Sequence, residues 1–241
     1  MFDARIARTM AALLAVTAVV SIATSAPLFG IRGVPRRSAA VIRDVPIGER
    51  VVAMTVDDGP SDTYTPRVLD ELARTGSRAT FFVVGTSAQL HPALVRRQVA
   101  LGCEVAAHTW SHPDMGVISS DETSREVWAG ATAIEEITGR WPSYFRPPRG
   151  RVTPAGLRAA AAADLRVVNW SLCIESRKLP SPEARAARIL RRVHPGDIIL
   201  VHDGMGRRAG SVAALAIVLD GLKARGYRVV TVSELLGSAA R

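Results

Sequence analysis

A chain of 241 residues with 48% hydrophobic content can bury a sizeable core, and one domain behind a leader is the natural reading. The net charge of +9 comes mostly from arginine, but the arginines are dispersed over helical patterns. No basic run interleaved with aromatics occurs, which argues against a nucleic-acid partner and leaves anionic lipid or an anionic wall polymer as fitting partners for the charge.

The chain begins with Arg5 and Arg8 ahead of an apolar stretch that runs from Met10 to about Gly30. A charged start, an apolar body and a small-residue end describe a secretory signal, and the length equally fits a spanning anchor. Residues 1–30 are therefore read as signal peptide or signal anchor, 31–49 as a basic, proline-containing tether, and 50–238 as the functional domain. Export places that domain outside the cell or on the outer face of the cytoplasmic membrane.

Val51–Val56 is β-branched, nearly all apolar and followed by Gly59-Pro60, as expected of a short buried strand. Thr65-Pro66 opens a helix, with threonine as cap and Val68, Leu69 and Leu72 as its apolar stripe before Gly76. Further strands are predicted over Ala79–Val84, Glu104–Ala107, Ser143–Arg146, Leu165–Trp170, Asp197–Val201 and Tyr227–Val232. Helices are predicted over Pro92–Ala100, Asp121–Thr138, from Thr153-Pro154, from Ser181-Pro182 to Val193, and over Ser211–Arg225. Strand and helix alternate about seven times, the pattern of parallel strands joined by crossover helices. No glycine-rich phosphate loop follows the first strand, which counts against a nucleotide-binding sheet. A (β/α) barrel of about seven parallel strands with outer helices fits the remaining length. The two cysteines, Cys103 and Cys173, lack metal-type spacing and read as buried apolar fillers, a disulfide between them being weakly supported.

Chemistry gathers where these strands end. Asp57 and Asp58 close the first strand, and because neighbouring strand side chains face opposite ways, they share a pocket only if the strand breaks there. His108-Thr109-Trp110-Ser111-His112 follows the Glu104–Ala107 strand, and two histidines at that spacing can grip one metal. With one aspartate they make a half-open site that keeps positions for water and substrate. Arg146-Pro147-Pro148-Arg149-Gly150 follows another strand, and an arginine there can pair with a carboxylate and keep it ionised. His202 ends the Ile198–Val201 run and titrates near neutrality, which suits a general acid. Each cluster alone has an ordinary explanation, a polar turn or a solvated histidine. A parallel barrel brings all four to one end.

These residues, TVDDGP, HTWSH, RPPRG and the LVH of ILVHDG, resemble in order and spacing the motifs of the polysaccharide deacetylases, the carbohydrate esterase family four with its NodB-like domain. The resemblance covers about Val51 to Leu236. It implies a distorted (β/α) barrel and metal-dependent removal of N-acetyl or O-acetyl groups from a polysaccharide, peptidoglycan or chitin-like. Matched by position, Asp57 is the general base, Asp58, His108 and His112 hold a divalent metal with zinc the expected ion, Arg146 orients the base and His202 is the acid. Arg149 supplies a backbone N–H to the oxyanion, and Leu200 and Trp170 are candidates for the wall around the acetyl methyl. Arg149 stands where an aromatic is frequent, a change that would favour an anionic polymer.

The fourth family motif departs further. An Asp-Trp pair usually carries the carboxylate behind the acid histidine, and counting from Trp170 its positions are Ser176-Arg177. Either Glu175 substitutes, or the acid step is weaker, or the substrate differs. Two other readings follow from the residues: a wall-polymer-binding module with a degenerate site, and a two-histidine, one-carboxylate iron oxygenase, the latter opposed by the strand–helix alternation and the leader. Nothing demands more than a monomer.

Overall fold

In the computed structural model the described residues are 40–176, 178–179 and 181–239, so the expected leader and residues 31–39 of the tether lie outside them. The elements run β1 (Val51–Asp57), α1 (Thr65–Thr75), β2 (Ala79–Val83), α2 (Gly85–Leu90), α3 (Pro92–Ala100), β3 (Glu104–Ala107), α4 (Ser120–Thr138) and β4 (Tyr144–Phe145). A 3-10 turn at Pro148–Gly150 precedes α5 (Pro154–Ala162), β5 (Arg166–Val167), β6 (Leu172–Cys173), α6 (Pro182–Arg192), β7 (Ile198–His202), α7 (Ala209–Ala224), β8 (Arg228–Val230) and α8 (Val232–Ala239). Seven strands follow one another in the order β5-β4-β3-β2-β1-β7-β6, and β8 pairs with β1. Every strand pairing is parallel. This is the distorted (β/α) barrel with outer helices that the alternation predicts.

Strand parity sorts the core into two layers. Val52, Met54 and Val56 of β1 join Phe81 of β2 and Ile199 and Val201 of β7 in the large cluster shared with α1, α4 and α7. Val51 and Ala53 join Phe82, Ala106, Tyr144 and Ile198 in a second cluster inside the curled sheet. The inward parity continues through Thr55 and Asp57 on β1 and through Leu200 and His202 on β7. Asp57 and His202 are paired in register on neighbouring strands, so both stand at the strand ends on the inner face.

Two of the predicted elements differ from the structure. The expected strand Leu165–Trp170 is cut back to Arg166–Val167, and the chain then crosses to pair Leu172 and Cys173 with β7. Thr65 is the first helical residue and not the cap of α1. Its hydroxyl accepts from the Ser61 N–H at 2.7 Å and donates to the Asp203 carboxylate at 2.5 Å. Thr153 and Ser181 do cap α5 and α6, accepting from Gly156 and Ala184.

The part of the expected tether that is described packs into the barrel wall. Ile42 bridges Val168 in parallel and Asp44 bridges Asp197 antiparallel, so this segment fills the seam between β5 and β7. Val45 is buried, and its N–H donates to the Gly196 carbonyl. Both cysteines are free. No helix among the described residues is long and apolar enough to cross a membrane.

Candidate active site

Parity puts Asp57 on the inner face, and a break in the strand brings its neighbour round. Asp58 has φ 75°, a left-handed conformation that few non-glycine residues adopt. Gly204 permits this turn, because a Cβ there would lie 2.0 Å from the Asp58 carbonyl oxygen. As a result Asp57 and Asp58 both reach the mouth of the barrel, as strand breakage predicts.

Asp58 Oδ1 lies 3.4 Å from His108 Nε2 and 3.3 Å from His112 Nε2. One donor atom from each of the three residues falls within 4.8 Å of the others. The His108 ring is set from behind: its Nδ1 is 2.7 Å from the Arg146 carbonyl, so Nδ1 carries the proton and Nε2 keeps its lone pair for the front. One carboxylate and two neutral imidazoles, with space opposite them, fit a divalent cation with open positions. Burial opposes charge on Asp58, but the adjacent His108 and His112 rings and the nearby His202 outweigh it and hold the carboxyl well below the usual range. Its second oxygen is held by Arg208, with Nη2 to Oδ2 at 3.1 Å.

Arg146 is fully buried and holds Asp57 from the opposite side. Its Nη1 donates to Asp57 Oδ1 at 2.6 Å and to Thr55 Oγ1 at 2.9 Å. Its Nε and Nη2 donate to the carbonyls of Val168 and Asn169, and its plane stacks 4.0 Å above the Phe82 ring. A guanidinium so fully bonded can stay charged without water. The other oxygen, Asp57 Oδ2, is turned to the candidate metal cluster, 3.9 Å from His108 Nε2.

His202 faces this group from β7, and the question of its carboxylate partner is answered by Glu175. The His202 Nδ1 lies 3.2 Å from Glu175 Oε2, off the line of a straight hydrogen bond, and the His202 backbone N–H donates to Oε1 at 3.1 Å. Burial pushes the imidazole pKa down, but Glu175, Asp57 and Asp58 together raise it. Burial likewise pushes Glu175 up, and its bonds and attraction to His202 bring it down to about 2. The Cys173 thiol also donates to Glu175 Oε2, at 3.4 Å, and burial with that negative neighbour pushes the thiol up to about 12.

The remaining predicted residues frame the mouth. Arg149 has φ 58°; the 3-10 turn uses the N–H groups of Gly150 and Arg151, leaving that of Arg149 outside its two bonds. Its exposed side chain pairs with Asp114 at 2.9 Å, and Arg151 shares the same carboxylate. Trp170 lies 5.4 Å from the Arg146 guanidinium and packs against Gly150. Leu200 is buried on the inner face beside Thr55.

Four residues escape the sequence reading: Thr55, Glu126, Asp203 and Arg208. Thr55 could have been found by parity, two residues before Asp57. Asp203 is fully buried, and burial, with Asp58 and Asp57 nearby, pushes its carboxyl up to about 7. Glu126 lies within α4 and Arg208 just before α7, and neither carries a local signal of its neighbours.

Comparison with known proteins comes to the same place. A profile of the polysaccharide deacetylase family matches residues 44–168. A peptidoglycan-N-acetylglucosamine deacetylase of Bacillus cereus is 38% identical over 195 residues, covering 80% of this chain and 91% of the relative. The peptidoglycan deacetylase PdaC from Bacillus subtilis superposes with a TM-score of 0.72 at 31% identity, over 78% of this chain and 91% of that one. A pseudoenzyme of carbohydrate esterase family four from Bacillus anthracis superposes with a TM-score of 0.76 at 28% identity, over 84% of this chain and 70% of that one.

Proposed function

The chain belongs to the polysaccharide deacetylase family, and from that premise we propose that it hydrolyses N-acetyl groups on an N-acetylglucosamine-containing polymer, peptidoglycan or chitin-like. A fold shared with a pseudoenzyme does not by itself mean activity. The observation that carries the reading is the complete set at one mouth: Asp58, His108 and His112 facing one point, Asp57 held by Arg146, and His202 backed by Glu175. Glu175 removes the main ground for the degenerate-site alternative, since the acid histidine does have a carboxylate.

Asp58, His108 and His112 would hold the divalent cation of the family, with Zn2+ the ion that two imidazoles and a carboxylate suit. Such a cation supplies carbonyl polarisation and a more acidic water. Asp57 Oδ2 faces the same point and takes the proton of the attacking water, while Arg146 keeps Oδ1 engaged and the carboxylate plane fixed. As the acetyl C–N bond breaks, His202 gives its proton to the leaving amine; the raised imidazole pKa keeps that proton available near neutrality. The Arg149 N–H is the donor on offer to the oxygen that gains charge. Water's oxygen ends in acetate; the proton that Asp57 takes makes good, through solvent, the one that His202 gives to the amine, and water's second proton is released as the acid ionises to acetate.

The domain is read as a monomer acting outside the cell, exported by residues 1–30 and either released or kept at the membrane by them. Acetate release from N-acetylglucosamine oligomers, peptidoglycan and acetylated xylan tests the activity. Release should be chelator-sensitive, and Asp57→Asn should lower it about 10²–10⁴-fold, the range of a general base. Metal bound tightly with no acetate from any of the three would overturn the reading.

A further inference from the structure

The two histidine ligands are held by different means. His108 continues β3: its N–H donates to the Val83 carbonyl at 3.0 Å and its ring is pinned to the Arg146 carbonyl. His112 ends a loop with two left-handed non-glycine residues, Thr109 at φ 65° and His112 itself at φ 59°. Such conformations persist only where the surroundings enforce them.

The enforcing group is Glu126, on α4 outside the barrel. Its Oε2 accepts from the backbone N–H groups of Trp110 at 2.9 Å and Ser111 at 2.8 Å, and its Oε1 accepts from the Ser111 hydroxyl at 2.7 Å. The next loop N–H, that of His112, goes to Thr109 Oγ1 at 3.1 Å. One turn further along α4, Gly130 lets the helix lie against the Thr109 carbonyl, where a Cβ would stand 2.6 Å from the carbonyl oxygen. Bonds from the start of α2 fix the loop from the other side, Gly85 N–H to Thr109 O and Thr86 N–H to Trp110 O.

We infer that Glu126 is a positioning residue for the metal centre, acting through His112 alone. It rests on the reading of Asp58, His108 and His112 as ligands, and adds a residue that touches neither cation nor substrate. Removing the carboxylate takes from two loop amides the one acceptor they share, and the left-handed turn that aims His112 loses what enforces it. His108, held by its strand and by Arg146, keeps its place.

The test measures the Zn2+ affinity of the full chain by competition with a chromophoric chelator. Glu126→Ala should weaken binding by about ten- to a hundredfold, the usual cost of losing an outer partner of a metal ligand. Glu126→Gln should stay close to wild type, because its amide oxygen can accept both backbone N–H groups while its NH2 meets the Ser111 hydroxyl. Equal losses in the two variants would assign the effect to charge and overturn the inference. In a His112→Ala background Glu126→Ala should cost nothing further, since the residue it acts through is gone; additive losses would also overturn it. Ser111→Ala, which deletes only the bond to Oε1, is the milder probe should Glu126→Ala not fold, and should weaken binding in the same direction. If wild type binds Zn2+ and His112→Ala weakens it while Glu126→Ala and Ser111→Ala do not, this inference alone falls. If wild type binds none, the ligand assignment falls first.

Discussion

The two ends of the barrel are built from similar polar side chains and use them differently. At the strand starts, Glu104 accepts from the Thr80 hydroxyl at 2.7 Å and the Ser233 hydroxyl at 2.5 Å, and the Tyr144 hydroxyl meets Ser233 at 3.1 Å. Thr80 also accepts from the Val232 N–H, tying α8 under the sheet. At the strand ends, carboxylates face imidazoles and guanidinia, and pKa values move. Backbone strain follows the same division. Of the six left-handed non-glycine residues described, Asp58, Thr109, His112, Arg149 and Met205 follow strand ends, and only Asp164 precedes a strand. One end is a clamp of hydroxyls closed on a single carboxylate, and the other is a set of opposed charges held in positions they would not adopt unaided.

Breaking the charged end should cost most. Arg146→Met leaves the Asp57 carboxylate buried without its counter-charge, and metal-free protein should lose about 3–5 kcal/mol in denaturant unfolding. An unchanged midpoint would mean that the guanidinium contributes nothing to the fold. Glu175→Gln is gentler. The negative Glu175 favours the imidazolium form of His202, so its loss should move the alkaline limb of the kcat profile to lower pH. The same pair has a stability signature. His202 is raised above its ordinary 6.5, so its contribution is full below that value and is lost as pH rises through the folded one. Glu175 is lowered from 4.5 to about 2, so its contribution is present above 4.5 and is lost as pH falls towards 2. Between those limits Glu175→Gln should destabilise most, which a set of melts across pH would show. The smallest effect belongs to the strand-start end: Ser233→Ala should cost about 1 kcal/mol and leave acetate release unchanged.

The division also explains what could be read from the chain. β-Branched runs, capping residues and strand-end clusters are local, so β1, β3, β7, the caps of α5 and α6 and the gathering of six polar residues at one mouth were legible. The short helix Gly85–Leu90 is not, since six residues hardly complete a periodic pattern. The Leu165–Trp170 run reads as one strand because nothing in its composition marks where the backbone changes partners. Glu126 and Arg208 are invisible for a related reason. Each is an ordinary charged residue, one inside a helix and one just ahead of one, whose meaning lies in a loop that another part of the chain supplies. Glu175 was one candidate among three outcomes until its distance to His202 was known.

The seam of the barrel has a practical meaning. Ile42 accepts a hydrogen bond from the Asn169 N–H, the Asn169 carbonyl accepts from Arg146, and Arg146 donates to Asp57. The residues ahead of β1 are thus three hydrogen bonds from the Asp57 carboxylate. An expression boundary drawn at Val51, where the first strand and its motif begin, would cut away the first of those bonds along with the backbone that fills the wall. A boundary at or before Ala40 would keep the Ile42, Asp44 and Val45 contacts, and with them the backbone that supports Arg146.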